Sequence, residues 1–480
     1  MKKQTFWLVI TLFLFVLLLF PGIPYLLVLL PLLAVFFFIA VFYPQVGLVF
    51  IAFTHSFTSI IRLKDQEALL LAGFGTILLV IYFTGVIIRG LLLPYQLHKR
   101  SVMNDWSVIK TMLPVWFMFL ALIFFNVIYN WSGIFSTFMK FREYIFPLLM
   151  LPFAVSVLSK KPESGRSLLV ALLLGSATIG LISILHYFIG LPINLPRWVT
   201  YFDVSTGIST DLIEYRQIFG GILIPRMKPL LGLTGTGAEA AYFTTMALMG
   251  CYLAKHFPKK IYRYILYIGC ILNLVAAFFA LSFSSVVVFI CVSAYFISAL
   301  MEKNIKSIVR VSATCLLMII LITLMSPSLS SLHVGLFGYV HQILFNNVIP
   351  ALTDFDQLLL GIGLGLKSGG LVNLADLALS AKYMFITDQW LLVTLYQMGI
   401  LGFLLTIAFF VIPLLISIWA FHRFKTDDMR HLILSAGIIV AGFIGFVHGA
   451  APIERLFSIP MVIAIAVILV SSNELLGKKL

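Results

Sequence analysis

Three ionisable residues stand where their type and spacing suit group-transfer chemistry in an apolar setting: Arg226, Glu239 and Asp388. Arg226 lies in "GGILIPRMKPLL", and its guanidinium stays charged at any relevant pH and offers planar, bidentate bonding to a phosphate. Glu239 lies in "TGTGAEAAYF", at the start of a long run rich in small residues. An ionisable group at membrane depth costs ~2.5 to 3.5 kcal/mol at a helix centre. Glu239 is therefore expected either to face a polar cavity or partner, or to sit in a first turn where the helix dipole favours an acid. Asp388 opens "TDQWLLVTLYQMGILG", a single carboxylate before an apolar run that closes on Gly399 and Gly402. Two roles suit it, capping the helix that follows or handling a proton, and one residue can do both.

Further polar residues form a second tier. Arg197, Arg216 and Lys228 share a loop with Asp203, Asp211 and Glu214, so pairing within the loop competes with binding an anion. "KFREY" holds Lys140, Arg142 and Glu143, and "HGAAPIER" holds His448, Glu454 and Arg455. Each cluster flanks an apolar run, where interfacial anchoring competes with a role for Arg142 and Arg455 in substrate binding. His333, His341, Lys367 and Lys382 share a long polar segment. His341 and Lys382 are the substrate-binding candidates there, and half or more of the four are expected to be ordinary solvated residues.

The elements that must position these groups follow from composition. Hydrophobic residues make up 61% of the 480-residue chain and charged residues 10%, a balance that no soluble domain of this size presents to water. One membrane-spanning helix takes roughly 20 apolar residues, so about fourteen spans fit, twelve at the least. They fall near 5 to 20, 25 to 42, 46 to 61, 69 to 88, 111 to 130, 143 to 159, 167 to 189, 236 to 254, 262 to 280, 284 to 301, 309 to 326, 390 to 420, 431 to 449 and 456 to 472. The expected fold is an all-α polytopic bundle forming a single membrane domain over 1–480. The opening "MKKQTFWLVITLFLFVLLLF" has no small-x-small cleavage site and reads as a retained first helix.

The net charge of +14 is sorted by side before it is interpreted. With both termini in the cytoplasm, most of the 32 basic residues fall in inner segments. The positive-inside rule then accounts for the excess, and no nucleic-acid partner is implied. Cys251, Cys270, Cys291 and Cys315 lie within spans without Cys-x-x-Cys spacing, which indicates packing rather than a metal or disulfide framework. Two extracytoplasmic segments remain, 190–235 and 327–389, the second long enough for amphipathic helices of its own. Long loops of this kind usually carry the activity. The glycines of "GIGLGL" lack a β-α-β setting and do not read as a nucleotide fold.

At motif level, from about 220 to 405, the chain resembles the bacterial O-antigen polymerase and O-antigen ligase superfamily, multi-pass enzymes that use lipid-linked sugars. Ligases of that group carry a histidine followed by Asn, Ser or Gln, nine residues, and then Gly-x-x-Gly or a close variant. Here Asp388 and Gln389 precede "WLLVTLYQM", Gly399 and Gly402 at that spacing. Polymerases of the group carry an arginine, ten residues and a glycine, a spacing shared by Arg226 and Gly237. The histidine is replaced by Asp388, and "LSFSS" stands where many members have Ser-Arg. The first departure favours polymerase over ligase, and the second leaves any second catalytic cation without an assigned residue.

The resemblance implies a donor glycan joined through diphosphate to a polyprenol, and an acceptor that is a second lipid-linked sugar. It also implies a bacterial inner-membrane location and protein partners of the flippase and chain-length-regulator kind, with no cofactor or metal. Arg226 would then stabilise charge on the leaving diphosphate, and Asp388, or secondly Glu239, would take the acceptor proton. Ligation to a lipid A core is the alternative outcome. A transporter or flippase is the competitor from another class, which would call for inverted repeats and broken helices. Asp388→Asn keeps a capping oxygen but not a base, whereas Asp388→Ala loses both. An assay of glycan chain extension should find both variants inactive if the aspartate is the base, and only the alanine variant impaired if it is a cap.

Overall fold

The computed structural model describes residues 2–19, 25–57, 74–92, 107–129, 145–191, 197–198, 200–203, 208–213, 215–218, 222–230, 236–300, 354–361, 390–424, 429–444 and 455–477. Helices account for nearly all of the ordered structure among them. In chain order they are α1 (Lys2–Leu19), α2 (Tyr25–Phe42), α3 (Pro44–Thr54), α4 (Phe74–Leu92), α5 (Ser107–Tyr129), α6 (Phe146–Ser159), α7 (Ser164–Ile189), α8 (Thr236–Lys255), α9 (Lys260–Phe279), α10 (Phe283–Leu300), α11 (Phe355–Leu360), α12 (Trp390–Arg423), α13 (Met429–Ile444) and α14 (Arg455–Gly477). Each span expected from the sequence overlaps a helix, except 309 to 326, which lies outside the described residues; the one expected at 46 to 61 meets only α3, which ends at Thr54, and the short 3-10 turn His55–Phe57.

Seven helices among the described residues are long and apolar enough to cross a membrane: α2, α4, α5, α7, α9, α12 and α14. The described parts of α1, α6, α10 and α13 are apolar but shorter. This is a membrane protein. The all-α expectation has one exception. Within 190–235 the chain forms β1 (Thr200–Asp203) against β2 (Ile208–Ile213), and β3 (Tyr215–Ile218) against β4 (Ile222–Pro225), both antiparallel. The run is rich in Thr, Tyr, Phe and Ile, and Gly220 and Gly221 separate β3 from β4, a composition that suits paired strands joined by tight turns. In the other loop, 327–389, the described helix is α11, with six residues.

The chain divides into two compact units, Met1–Val102 with Ser156–Ser285, and Met103–Val155 with Val286–Leu480. In the first unit α7 packs against α3, α8 and α9, and α2 against α1, α3 and α4. The buried face of α9 is built of Leu266, Gly269, Cys270, Asn273, Ala276 and Ala277. A Cβ placed on Gly180 of α7 would come within 3.3 Å of Ala276 Cβ, and one on Gly269 within 3.6 Å of Ala177 Cβ. Small residues let the two backbones approach, which is how helices associate where lipid removes the hydrophobic drive. The opposite face of α9 exposes Tyr264, Ile268, Ile271 and Phe278, apolar groups suited to acyl chains.

In the second unit α12 packs against α5, α11, α13 and α14. Pro152 lies inside α6 and has no N–H for the carbonyl four residues earlier, that of Leu148. The indole Nε1 of Trp116 on α5 donates to that carbonyl at 3.0 Å. An orphaned backbone acceptor in an apolar interior has thus been given a side-chain donor.

Helices α3 and α7 approach closely at Gly175, where an added Cβ would strike the carbonyl of Phe53. Gly175→Ala should therefore lower the melting temperature of the purified protein, at a cost of ~1 to 3 kcal/mol for overpacking. Gly90→Ala, with nothing within 4 Å of the new Cβ, should leave it unchanged or raise it slightly.

Candidate functional site

The segment carrying Arg226 is held from both sides. The Tyr187 hydroxyl of α7 donates to Pro225 O at 3.0 Å, and Leu230 N donates to Ser183 Oγ at 3.1 Å. Met227 N donates to Phe279 O at 2.9 Å, and Lys228 N to Arg197 O at 3.1 Å. Trp198 and Met227 also pair as an isolated antiparallel bridge. Residues 225–230 are therefore stitched between the C-terminal ends of α7 and α9.

Within that frame Arg226 is 9% exposed, and its Nε donates to Ala280 O at 3.1 Å. Helices leave their last carbonyls without intrahelical partners and carry partial negative charge there. At the end of α9 the available donors are used in turn. Met227 N takes Phe279 O, Arg226 Nε takes Ala280 O, and Leu281 N takes Phe278 O. Leu281 adopts φ 45°, the left-handed conformation that a glycine usually supplies after a helix. Leucine there costs on the order of 1 to 2 kcal/mol, so the surrounding bonds hold this turn.

Arg197 lies against the end of α7. That helix closes on Gly190 (φ 77°), whose N–H bonds to His186 O, and the Arg197 guanidinium occupies the space a Cβ on Gly190 would need. Its charge lies 5.9 Å from the Trp198 ring, a cation–π distance. The cations of this loop were expected either to pair with its acids or to bind an anion. For Arg226 the end of α9 supplies a partner, and for Arg197 the Trp198 ring does.

Glu239 is fully buried, in the first turn of α8, the position where the helix dipole favours an acid. One turn on, at a spacing that shares its face of the helix, lies the equally buried Tyr242. The Tyr242 hydroxyl is 3.2 Å from Ser56 Oγ, and His55 beside Ser56 is also buried. Gly237, the partner of Arg226 in the ten-residue spacing, is the second residue of α8. Lys228 is half-buried beside Arg226. Arg216 lies on β3 opposite Ile224, and Arg455 is the first residue of α14. Arg142, His341, Lys382 and Asp388 lie outside the described residues. Among the described residues no group of His, Cys, Asp and Glu is arranged to hold a metal ion.

The two glycine motifs of the second unit meet. Gly399 interrupts α12 with φ 64° and ψ −168°, and Gly361 ends α11 with φ 78°. A Cβ on Gly361 would strike the backbone of Gln397 and Met398, and one on Gly399 the backbone of Leu359 and Leu360. Only residues without side chains permit this crossing. The sequence reading passed over the third participant. Asn126 of α5 is 1% exposed, and its Nδ2 donates to Leu360 O at 2.8 Å and Gln397 O at 3.2 Å. An asparagine inside an otherwise apolar run was the available signal.

Arg226→Ala should lower the melting temperature of the purified protein, because Ala280 O loses a charged donor worth ~1.5 to 3 kcal/mol. An unchanged melting temperature would show that the contact carries no stability. No protein-family model matches the chain, and no curated protein matches it.

Proposed function

We propose that the protein is a membrane-embedded glycosyltransferase that polymerises polyprenyl-diphosphate-linked oligosaccharide units at the outer face of a bacterial inner membrane. The observation that supports this reading most is the fixed, nearly buried guanidinium of Arg226, in the same unit as the buried Glu239. A preorganised cation in a site shielded from water stabilises charge that develops on a leaving group more effectively than one that must reorganise.

In the proposed step the acceptor sugar oxygen forms a bond to C1 of the donor glycan as the C1–O bond to diphosphate breaks. The diphosphate leaves with the bonding electron pair and meets Arg226, with Arg216 and Lys228 as further cations of the loop. The acceptor proton passes to a carboxylate, Asp388 first and Glu239 second. Arg142, His341, Lys382 and Arg455 are assigned to binding glycan or diphosphate, and no cofactor or metal enters. Flippase and chain-length-regulating proteins are the proposed partners.

A ligase reading is supported by the spacing of Gly399 and Gly402 from Asp388. A transporter reading gains a specific observation in the break of α12 at Gly399, since discontinuous helices line many transport sites. Deleting the gene and analysing cell glycans separates the three. Surface glycan of single repeat units is the expected result. Unattached long polymer would instead indicate a ligase, and lipid-linked units trapped on the cytoplasmic side a flippase.

Arg226→Lys sharpens the site. It keeps the charge but not the planar fork, and chain extension should fall by about two orders of magnitude, the scale seen when one transition-state donor is removed. Wild-type polymer length in cells carrying this variant would remove Arg226 from the catalytic set.

A further inference from the structure

Helix α12 begins two residues after Asp388 in the sequence and is broken further along, at Gly399. Hydrogen bonds from one residue to the fourth before it cannot span Gly399 at its non-helical angles. The carbonyl of Gln397 is among those that lose their intrahelical partner. In an apolar interior such a group must be satisfied by other parts of the protein. The donor is Asn126, whose amide nitrogen reaches Gln397 O and Leu360 O together.

An amide nitrogen has two protons, and here both are committed, one to each side of the glycine crossing. Two further groups depend on the same junction. Thr394 and Gln397, one turn apart on α12, are each 1% exposed, and Thr394 Oγ1 and Gln397 Nε2 have no hydrogen-bond partner among the described residues. Buried polar atoms in this state make a junction costly to close. The closed arrangement therefore relies on what Asn126 and the two glycines supply.

We infer that Asn126 is a positioning residue for the proposed glycan transfer, its amide joining α11 to the broken turn of α12 and so fixing where α12 begins. The inference rests on the polymerase reading for its catalytic part and on geometry alone for the junction. Asp in place of Asn126 keeps the shape but turns two donors into acceptors facing two carbonyls. Serine keeps a single donor.

The test uses the full-length protein in native membranes, with Thr394→Cys as a reporter and N-ethylmaleimide as the probe. Labelling at position 394 is quantified by peptide mass spectrometry. With Asn126 in place the buried thiol should be protected. Asn126→Asp should label at least about tenfold faster, as expected for the loss of two hydrogen bonds, and Asn126→Ser should be intermediate. The amount of protein in the membrane reports folding separately. Without the reporter, both variants should lower the turnover of chain extension in the same order while KM for the lipid-linked donor is unchanged. Equal labelling in all three proteins would overturn the junction. Faster labelling with wild-type turnover would overturn the positioning role. A wild type that makes no polymer, with labelling that responds as described, would remove the polymerase reading and the catalytic role with it, leaving the junction standing.

Discussion

A backbone carbonyl set free at a helix end, a proline or a break within the hydrocarbon region has to find a donor inside the protein, because lipid offers none. Much of what is distinctive in this structure follows from that constraint. Arg89 Nη1 donates to Val41 O and Phe42 O at 2.9 and 2.8 Å, closing α2. Trp116 supplies the donor that Pro152 removes from α6. Arg226 and Met227 close α9, and Asn126 serves the break in α12. Long polar side chains in an apolar chain are thus tied first to backbone, and any chemistry they perform starts from that fixed position.

This changes how Arg226 is read. A guanidinium has several donors in a planar fork, and one of them, Nε, is engaged at Ala280 O. The bond to α9 orients the group, and orientation is what a transition-state donor needs. Glu239 is placed by its helix as well, in the first turn of α8, where the helix dipole favours an acid.

The helical layout was legible in the sequence because spanning segments announce themselves by length and apolarity. Tyr25–Phe42 could be read directly from its hydrophobic run. The strands at 200–225 were harder, since a stretch of ten or so mixed residues carries little periodicity beside twenty apolar ones. The glycines at 361, 399 and 402 were visible as a pattern, but what Gly361 and Gly399 do was not. Their meaning lies in a close approach between segments 38 residues apart in sequence, roughly the kind of long-range contact that no local rule encodes. Asn126 was missed for the same reason, because its two acceptors, Leu360 O and Gln397 O, come from distant parts of the chain.

The account joins a fixed arginine, a buried acid and a glycine-closed junction to one activity, and that activity can be measured without a cell. Purified protein reconstituted with a single lipid-linked oligosaccharide repeat unit should yield a ladder of longer lipid-linked glycans, with free polyprenyl diphosphate released for each bond made. Movement of the unextended unit across the bilayer, with neither ladder nor released diphosphate, would contradict it.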